Sequence, residues 1–294
     1  MPTREPAAAP EAGRKITTSM TATQSRQPAA GLTWRRSAVW GPLLQICLLI
    51  FYLFIWETLV DAGWISPFIL PAPSQIIARL WFDLVSIVTG GYMAHHVLAT
   101  LEEVCVGFFG GFAISVSLGV AIAEWRFFKV MVYPYIIAFN AAPRVAFAPL
   151  FLIWFGFGIW SKVAMVIAVA AFPIMVGTIA GMAATDPAME KLMRALGASR
   201  WQTFLKVRVP LALPYLFAGI ESGVILAVIG AVVGEFAGGS EGLGYIVTVS
   251  QQQLNLPQGF SAVILLSLIG LVLHRIVLWL QRRVIYWRAQ PAGR

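Results

Sequence analysis

Long apolar runs separated by short polar segments dominate the pattern of this chain. Each run is about 20 residues long, the length of a helix that crosses the apolar core of a bilayer. We predict six membrane-spanning helices, at about residues 42–60, 101–123, 130–155, 161–182, 215–237 and 260–280. Pro134, Pro143 and Pro149 interrupt the third run. We expect a broken helix there, inside a bundle whose neighbouring helices satisfy the freed backbone groups.

The composition and the charge pattern favour an all-α, multi-pass membrane protein. Of the 294 residues, 59% are apolar and 12% are charged, against about half and about a quarter in soluble domains. The net charge of +8 does not indicate nucleic-acid binding, because 18 of the 21 Lys and Arg residues lie in the alternate segments 1–39, 124–130, 183–214 and 275–294. This asymmetry follows the positive-inside rule and predicts cytoplasmic N and C termini.

The hydropathy pattern divides the chain into four parts. Residues 1–39, rich in Ala, Pro, Ser, Thr and Gln, have the composition of a disordered cytoplasmic tail. Residues 40–92 contain the first spanning helix and a short amphipathic helix that we expect on the outer face of the membrane. Residues 93–282 contain the other spanning helices, and residues 283–294 are expected to form a cytoplasmic C-terminal tail.

The basic segment between the fourth and fifth runs carries the signals of two helices joined at a corner. Asp186 followed by Pro187 is typical of a helix start. Gly197 is typical of the residue just past a helix end. Ser199 and Gln202 have the spacing of a capping box that opens a second helix.

This corner is a candidate docking surface for another protein. Its small residues allow it to enter a groove on a partner. The alternative is an ordinary basic loop that only fixes the orientation of the chain in the membrane. Pro210 and Pro214 are expected to end the second helix before the fifth run.

The stretch from Gly197 to Pro210, which ends in Val-Arg-Val-Pro, resembles the EAA loop of permease subunits from binding-protein-dependent ABC importers. That loop has the pattern EAA, three residues, Gly, nine residues and Ile-x-Leu-Pro. The nitrate/sulfonate/taurine-type branch is the most similar. The motifs that carry this resemblance are LPAPSQI at 70–76, GFFGGFAISVSLG at 107–119, PLFLIWFGFGIWSK at 149–162, FPIMVGTIAG at 172–181, GASRWQTFLKVRVPLALPYLFAGI at 197–220 and GEFAGGSEGLG at 234–244.

The chain departs from the family pattern at three places, one of which is Leu192–Met193 where the family has Ala-Ala. Where the family has a glutamate six residues before the glycine, this chain has Lys191, and Glu190 lies one residue earlier. One residue turns a side chain by about 100° around a helix. Glu102 and Glu103 stand where the family tends to be basic.

The resemblance implies a type I ABC importer fold, with residues 93–282 as the ABC type-1 transmembrane domain and the corner as the cytoplasmic coupling helix. It implies a permease homodimer in the bacterial cytoplasmic (inner) membrane, in contact with membrane lipid. The implied partners are cytoplasmic ABC ATPase subunits and a periplasmic or extracellular solute-binding protein. The implied ATPase-coupling residues are Glu190, Arg194, Ala195, Gly197, Ala198, Ser199, Arg200 and Trp201.

The solute is not fixed by the sequence. The branch suggests a small anion, such as nitrate, a sulfonate or taurine, and it also contains importers of neutral or cationic heterocycles. Arg144 follows Pro143 in the broken third run and is a candidate for lining the translocation path. The alternative is an arginine that satisfies the carbonyls of a broken helix or extends outward to the interface.

Glu57 and Glu235 lie near the outer ends of their runs, where we expect partial solvation. The alternative for Glu235 is a position facing the dimer axis. Ionisable residues within spans are functional candidates by default, and both glutamates are therefore followed into the structure.

No catalytic, cofactor-binding or metal site is expected on this chain. It lacks the pattern G-x-x-x-x-G-K-[ST] that cradles nucleotide phosphates, so we expect ATP to be hydrolysed on separate subunits. His95, His96 and His274 do not form a ligand cluster by spacing. The alternatives to a permease subunit are a stand-alone channel or proton-coupled carrier, and a membrane-embedded enzyme, for which clustered catalytic residues are missing.

Overall fold

The computed structural model describes residues 34–287, which are almost entirely helical and contain no β-strand. The long helices are α1 (Trp34–Asp61), α3 (Tyr92–Glu124), α7 (Ile159–Ala183), α10 (Val209–Gly238) and α12 (Leu256–Val284). The shorter helices are α2 (Pro73–Val88), α4 (Arg126–Met131), α5 (Tyr133–Ala141), α6 (Ala148–Phe155), α8 (Pro187–Ala195), α9 (Arg200–Thr203) and α11 (Leu243–Gln252). A 3-10 helix spans Arg144–Phe147, and a π-helical segment spans Phe204–Arg208. The predicted all-α fold is confirmed.

The chain divides into two compact units, Met1–Tyr52 and Leu53–Arg294. In the first unit the structure describes the beginning of α1, so residues 34–39 of the predicted tail are helical. The rest of the predicted N-terminal tail and the end of the predicted C-terminal tail lie outside the described residues. All packing reported below is within the second unit.

Five helices of the described residues are long and apolar enough to cross a membrane, and a bent pair supplies the sixth candidate span. The bent pair consists of Arg126–Ala141 and Arg144–Phe155, with an angle of 94° between the two parts. The bend occurs before Pro143, because the proline ring disfavours the helical conformation of the preceding residue. Ala142 accordingly has extended φ and ψ of -70° and 146°. The predicted break in the third apolar run is therefore present.

Helix α7 packs against both α3 and α10 and forms the centre of the second unit. Two glycines make these contacts close. A Cβ atom on Gly107 would lie 2.5 Å from the side chain of Val166, and a Cβ atom on Gly219 would lie 2.6 Å from the carbonyl oxygen of Pro173. Small residues at such contacts let helix backbones approach each other inside a membrane.

The amphipathic helix α2 is fixed by two carboxylates. Glu57, at the end of α1, accepts hydrogen bonds from the backbone N–H (3.0 Å) and the hydroxyl (2.6 Å) of Ser74. Asp83 is almost fully buried and accepts a hydrogen bond of 2.6 Å from Ser261 on α12. Arg79 lies 3.1 Å from the other Asp83 oxygen. Helix α2 is thus anchored to α12, and its position on the outer face stays a prediction.

The prediction that Pro210 and Pro214 end the second helix of the basic segment is wrong. Helix α9, the π-helical segment and α10 form one helical run, Arg200–Gly238. Pro210 lies in the first turn of α10, directly after the π-helical segment. Because a π turn is wider than an α turn, it leaves room for the proline ring beside the carbonyl of the preceding turn.

Candidate functional site

The two helices of the basic segment begin where the sequence predicts. The Asp186 side chain accepts a hydrogen bond of 2.8 Å from the backbone N–H of Ala188, and α8 starts at the next residue after Asp186. Ser199 and Gln202 form a complete capping box. The Gln202 N–H donates to the Ser199 hydroxyl (3.2 Å), and the Ser199 N–H donates to the Gln202 side-chain oxygen (2.8 Å).

The corner between these helices has the Schellman geometry of a helix end. Gly197 has a φ of +75°, in the left-handed region that favours glycine. Its N–H donates to the carbonyl of Arg194 (3.0 Å), and the N–H of Ala198 donates to the carbonyl of Met193 (3.0 Å). A Cβ atom on Gly197 would have no described atom within 4 Å. Hydrogen bonds therefore fix the backbone of the corner, and the space beside Gly197 is open.

One arginine joins the corner to the rest of the bundle. Arg208 donates from Nε (2.9 Å) and Nη2 (2.6 Å) to one carboxylate oxygen of Glu190 on α8. Its Nη1 donates to Glu124, the last residue of α3. Glu190, which lies one residue before the usual position of the family glutamate, is thus paired within the chain. Arg208 thus connects α8 to the end of α3.

These groups surround a cavity of about 310 Å³ beside the corner. The cavity is lined by Glu124, Glu190, Arg194, Ala198, Arg200, Thr203, Phe204 and Arg208. Four predicted coupling residues, Glu190, Arg194, Ala198 and Arg200, therefore share one cavity. The other four, Ala195, Gly197, Ser199 and Trp201, are exposed on the surface of the corner. Their role in coupling stays a prediction.

A second cavity, of about 440 Å³, lies where the broken span meets α3 and α7. It is lined by Ile114, Leu118, Ile136, Phe139, Asn140, Arg144, Phe151, Trp154, Phe155, Ala164, Ile167, Ala168, Ala171 and Phe172. Arg144 is the one charged residue among these lining residues. Its Nη1 donates a hydrogen bond of 2.9 Å to the carbonyl of Val169. Arg144 thus satisfies a backbone carbonyl of α7, and it also faces a cavity.

The same structure reveals a buried polar cluster that the sequence analysis missed. Lys162, at the start of α7, lies 2.7 Å from Glu103 on α3, and the two residues are 4% and 2% exposed. One turn before Glu103, the Thr100 hydroxyl donates to Glu235 on α10 at 2.7 Å. Glu235 is 1% exposed, so the expectation that it is partly solvated is wrong.

The cluster also holds the start of α11, the helix that follows α10. The N–H of Gly244 donates to Glu235, and the N–H of Leu243 donates to the hydroxyl of Thr100 at 2.8 Å. The N–H of Gly242 donates to Nδ1 of His96 at 3.1 Å. Lys162 and Glu103, two opposite charges inside predicted spans, were the sequence signal for this cluster, because buried charges in a membrane need partners.

The fold and the capped corner agree with the predicted multi-pass permease of the ABC transporter type. The chain belongs to the family described as binding-protein-dependent transport system inner membrane components, whose model matches residues 113–286. The predicted family is confirmed.

Several named proteins are similar to this chain. It is 36% identical over 239 residues to the formylaminopyrimidine transport permease protein ThiX of Halalkalibacterium halodurans, covering 80% of this chain and 91% of that protein. It is 35% identical over 248 residues to the riboflavin transport system permease protein RibX of Chloroflexus aurantiacus, covering 84% and 90%. It is 26% identical over 263 residues to the taurine transport system permease protein TauC of Escherichia coli, covering 88% and 94%. The match to a taurine permease agrees with the predicted branch.

A solved structure supports the fold. An inward-facing form of the MetNI methionine ABC transporter contains a chain that matches with a TM-score of 0.57 and 21% identity. The match covers 65% of this chain and 95% of that chain. It confirms the predicted type I importer fold and carries no statement about the solute.

Proposed function

We propose that this chain forms the membrane passage of an ABC importer for a small solute, driven by ATP hydrolysis on separate cytoplasmic subunits. The observation that carries the proposal is the corner at Gly197. A Schellman end and a capping box fix its backbone, and its outer surface is open. Such a surface suits a partner that must push on the chain and not only bind it.

In this proposal the displacement is transmitted along the ion pairs of Arg208. ATP-driven closure of the ATPase subunits would displace α8 and, through Glu190 and Arg208, the end of α3 at Glu124. Moving a two-state gate from 1:99 to 99:1 requires about 5.5 kcal/mol of differential free energy. In this proposal the ATPase subunits supply that energy through the docked corner.

The remaining partners follow from the importer architecture. We propose a second copy of this chain across a two-fold axis, a solute-binding protein on the outer side, and lipid around the bundle. The distribution of Lys and Arg supports cytoplasmic N and C termini. Nucleic acid is not among the proposed partners.

Two solute classes are candidates. The charge of Arg144 in the second cavity favours a small anion, such as nitrate, a sulfonate or taurine. The names of the two relatives at 36% and 35% identity favour heterocyclic solutes, a formylaminopyrimidine and riboflavin. Both classes contain groups that accept hydrogen bonds from a guanidinium.

A stand-alone, proton-coupled carrier is the second candidate function. The buried Glu103, Lys162 and Glu235 favour it, because carriers place ionisable residues inside their bundles. Co-purification from the native membrane separates the two functions. A permease subunit co-purifies with an ATPase and transports only with ATP. A carrier purifies alone and transports without nucleotide.

A further inference from the structure

The carboxylates of the basic segment are engaged within the chain. Residues 185–214 contain two acidic residues, Asp186 and Glu190. Asp186 caps α8, and Glu190 is paired with Arg208, which also holds Glu124 of α3. The acidic groups of the segment are therefore satisfied before any partner binds.

The cations of the segment are in the opposite state. Among the described residues, Arg208 is the one cation of the segment that is paired with a carboxylate. The other four cations are exposed and have no carboxylate in ion-pair contact: Lys191, Arg194, Arg200 and Lys206. Unpaired positive charge on a docking surface favours a partner of opposite charge, because complementary charges steer the encounter and suppress wrong partners.

Two of the unpaired cations, Arg194 and Arg200, line the cavity of about 310 Å³ beside the corner. The lining residues include three arginines and two glutamates, which give the cavity a net charge of +1. That charge suits a single carboxylate better than a phosphate dianion, because Glu124 and Glu190 would repel a second negative charge. Arginine also matches a carboxylate in shape, since its planar fork can donate two parallel hydrogen bonds to the two oxygens.

The cavity and the corner share one surface. Ala198 lines the cavity and follows Gly197 in the chain, so a partner that docks on Gly197 also covers the cavity. Leu196 and Trp201, on either side of the corner, are 72% and 66% exposed. Exposed tryptophan and arginine side chains are the residue types that contribute most to protein–protein contacts.

We infer that the ATPase subunit presents an acidic surface to this corner, with one carboxylate seated in the cavity between Arg194 and Arg200. Apolar side chains of the same subunit cover Leu196 and Trp201. The inference rests on the proposed function, because it names the chemistry of the partner that docks at the corner.

The polarity of this contact follows from the departure at the family glutamate. Lys191 occupies the usual glutamate position, and Glu190 is paired with Arg208. The positive side of the contact therefore lies on this chain, and the negative side lies on its partner.

The test is equilibrium association of the purified ATPase subunit with the full chain in phosphatidylcholine nanodiscs. The ATPase subunit is obtained by co-purification with the parent chain. Arg194→Gln and Arg200→Gln should each weaken association by about tenfold or more, because each leaves a carboxylate of the partner buried without its cation. Association of the parent chain should weaken as salt rises, and the two variants should respond less, since salt screens exposed charges.

Lys206→Gln is the matched control. It removes the same charge from an exposed cation of the same segment that does not line the cavity, and it should lose much less affinity. Equal losses for Lys206→Gln and the two arginine variants would overturn the seating of a carboxylate in the cavity, because only the overall charge would then matter. Unchanged association of both arginine variants would overturn the whole inference.

Carbodiimide cross-linking identifies the partner group directly. The reagent joins an amine to a carboxylate as an amide, with loss of water. Arg200→Lys places an amine at the cavity and keeps the charge. Mass spectrometry of the complex should show position 200 joined to an aspartate or glutamate of the ATPase subunit, with fewer links from the native Lys206. A complex in which position 200 is never joined to the ATPase subunit would contradict the inference.

A lipid in the cavity would give a different result. Native mass spectrometry of the chain from membranes that contain phosphatidylglycerol reports bound anionic lipid. If Arg194→Gln and Arg200→Gln lose this lipid but keep the ATPase subunit, the cavity holds a lipid phosphate and the inference is overturned.

The parent chain separates failure of this inference from failure of the proposed function. If the parent chain retains an ATPase subunit and Gly197→Asp loses it, while both arginine variants bind normally, only the acidic surface of the partner fails. If the parent chain retains no ATPase subunit, the importer itself fails.

Discussion

The ammonium nitrogen of Lys162 lies 2.7 Å from a carboxylate oxygen of Glu103, and both side chains are shielded from solvent. The pair joins α7 to α3 inside the bundle. The Thr100 hydroxyl, one turn earlier on α3, holds Glu235 of α10. Three membrane helices therefore meet at one buried polar cluster, which also binds Gly242 and the first turn of α11.

Replacing Lys162 alone should lower the thermal midpoint more than replacing both Lys162 and Glu103. Lys162→Met leaves Glu103 buried without its partner, and breaking a buried pair in this way costs about 3–5 kcal/mol. We expect a clear fall in the thermal midpoint of the detergent-solubilised chain. The double variant Lys162→Met with Glu103→Gln leaves no unpaired charge at positions 103 and 162 and should recover most of the loss. Equal midpoints for the single and double variants would contradict this account of the cluster.

Gly242 should not tolerate a side chain. It has a φ of +107°, and a Cβ atom there would overlap the carboxyl group of Glu235. Gly242→Ala therefore combines backbone strain of about 1–2 kcal/mol with overpacking of about 1–3 kcal/mol. Gly90→Ala is the matched control, because Gly90 has a φ of +72° with open space around it. Thermal unfolding should show a larger loss for Gly242→Ala, and equal losses would mean that the contact with Glu235 is unimportant.

The sequence predicted most of the architecture, because hydropathy and turn chemistry act locally. The capped corner is an example, since Asp186, Gly197 and the Ser199–Gln202 box all behave as their residue types dictate. The bend at Pro143 is another. Both features depend on residues that are neighbours in the chain.

The charges of Lys162 and Glu103 signal a buried cluster, but its pairing was out of reach for the opposite reason. Thr100 and Glu235 are separated by 135 positions, and neither residue indicates alone which residue is its partner. The missed continuation of the helix through Pro210 has a similar cause. The π-helical turn that accommodates Pro210 leaves no pattern in the residue types of the segment.

Arg208 should matter for coupling more than for stability. Its contacts with Glu190 and Glu124 are partly exposed, and such ion pairs contribute at most about 1 kcal/mol to folding. Arg208→Lys keeps the charge but cannot reach both carboxylates with a rigid fork. We expect near-normal ATP hydrolysis by the assembled transporter and less solute taken up per ATP. Lys206→Arg is the control, and an unchanged ratio for Arg208→Lys would remove Arg208 from the coupling path.

A charge introduced at Gly197 tests whether ATPase subunits dock at the corner, and it leaves the backbone of the corner unchanged. Asn and Asp both tolerate a positive φ, and the space beside Gly197 is open. Gly197→Asp and Gly197→Asn should therefore both reach the membrane. Gly197→Asp should weaken ATPase association in a pull-down by about tenfold, a change of about 1.4 kcal/mol, because it buries a charge in the contact. Gly197→Asn has nearly the same shape and should lose less, so equal retention by both variants would argue against docking at this corner.

The most direct test of an external ATP-driven motor is uptake by reconstituted vesicles. The vesicles contain this chain with its co-purified ATPase. The solute-binding protein and its labelled ligand are added to them. The account predicts uptake only when ATP is present and hydrolysed, and strong loss of uptake with Gly197→Asp. Uptake at the same rate by vesicles that contain this chain alone, without any nucleotide, would contradict it.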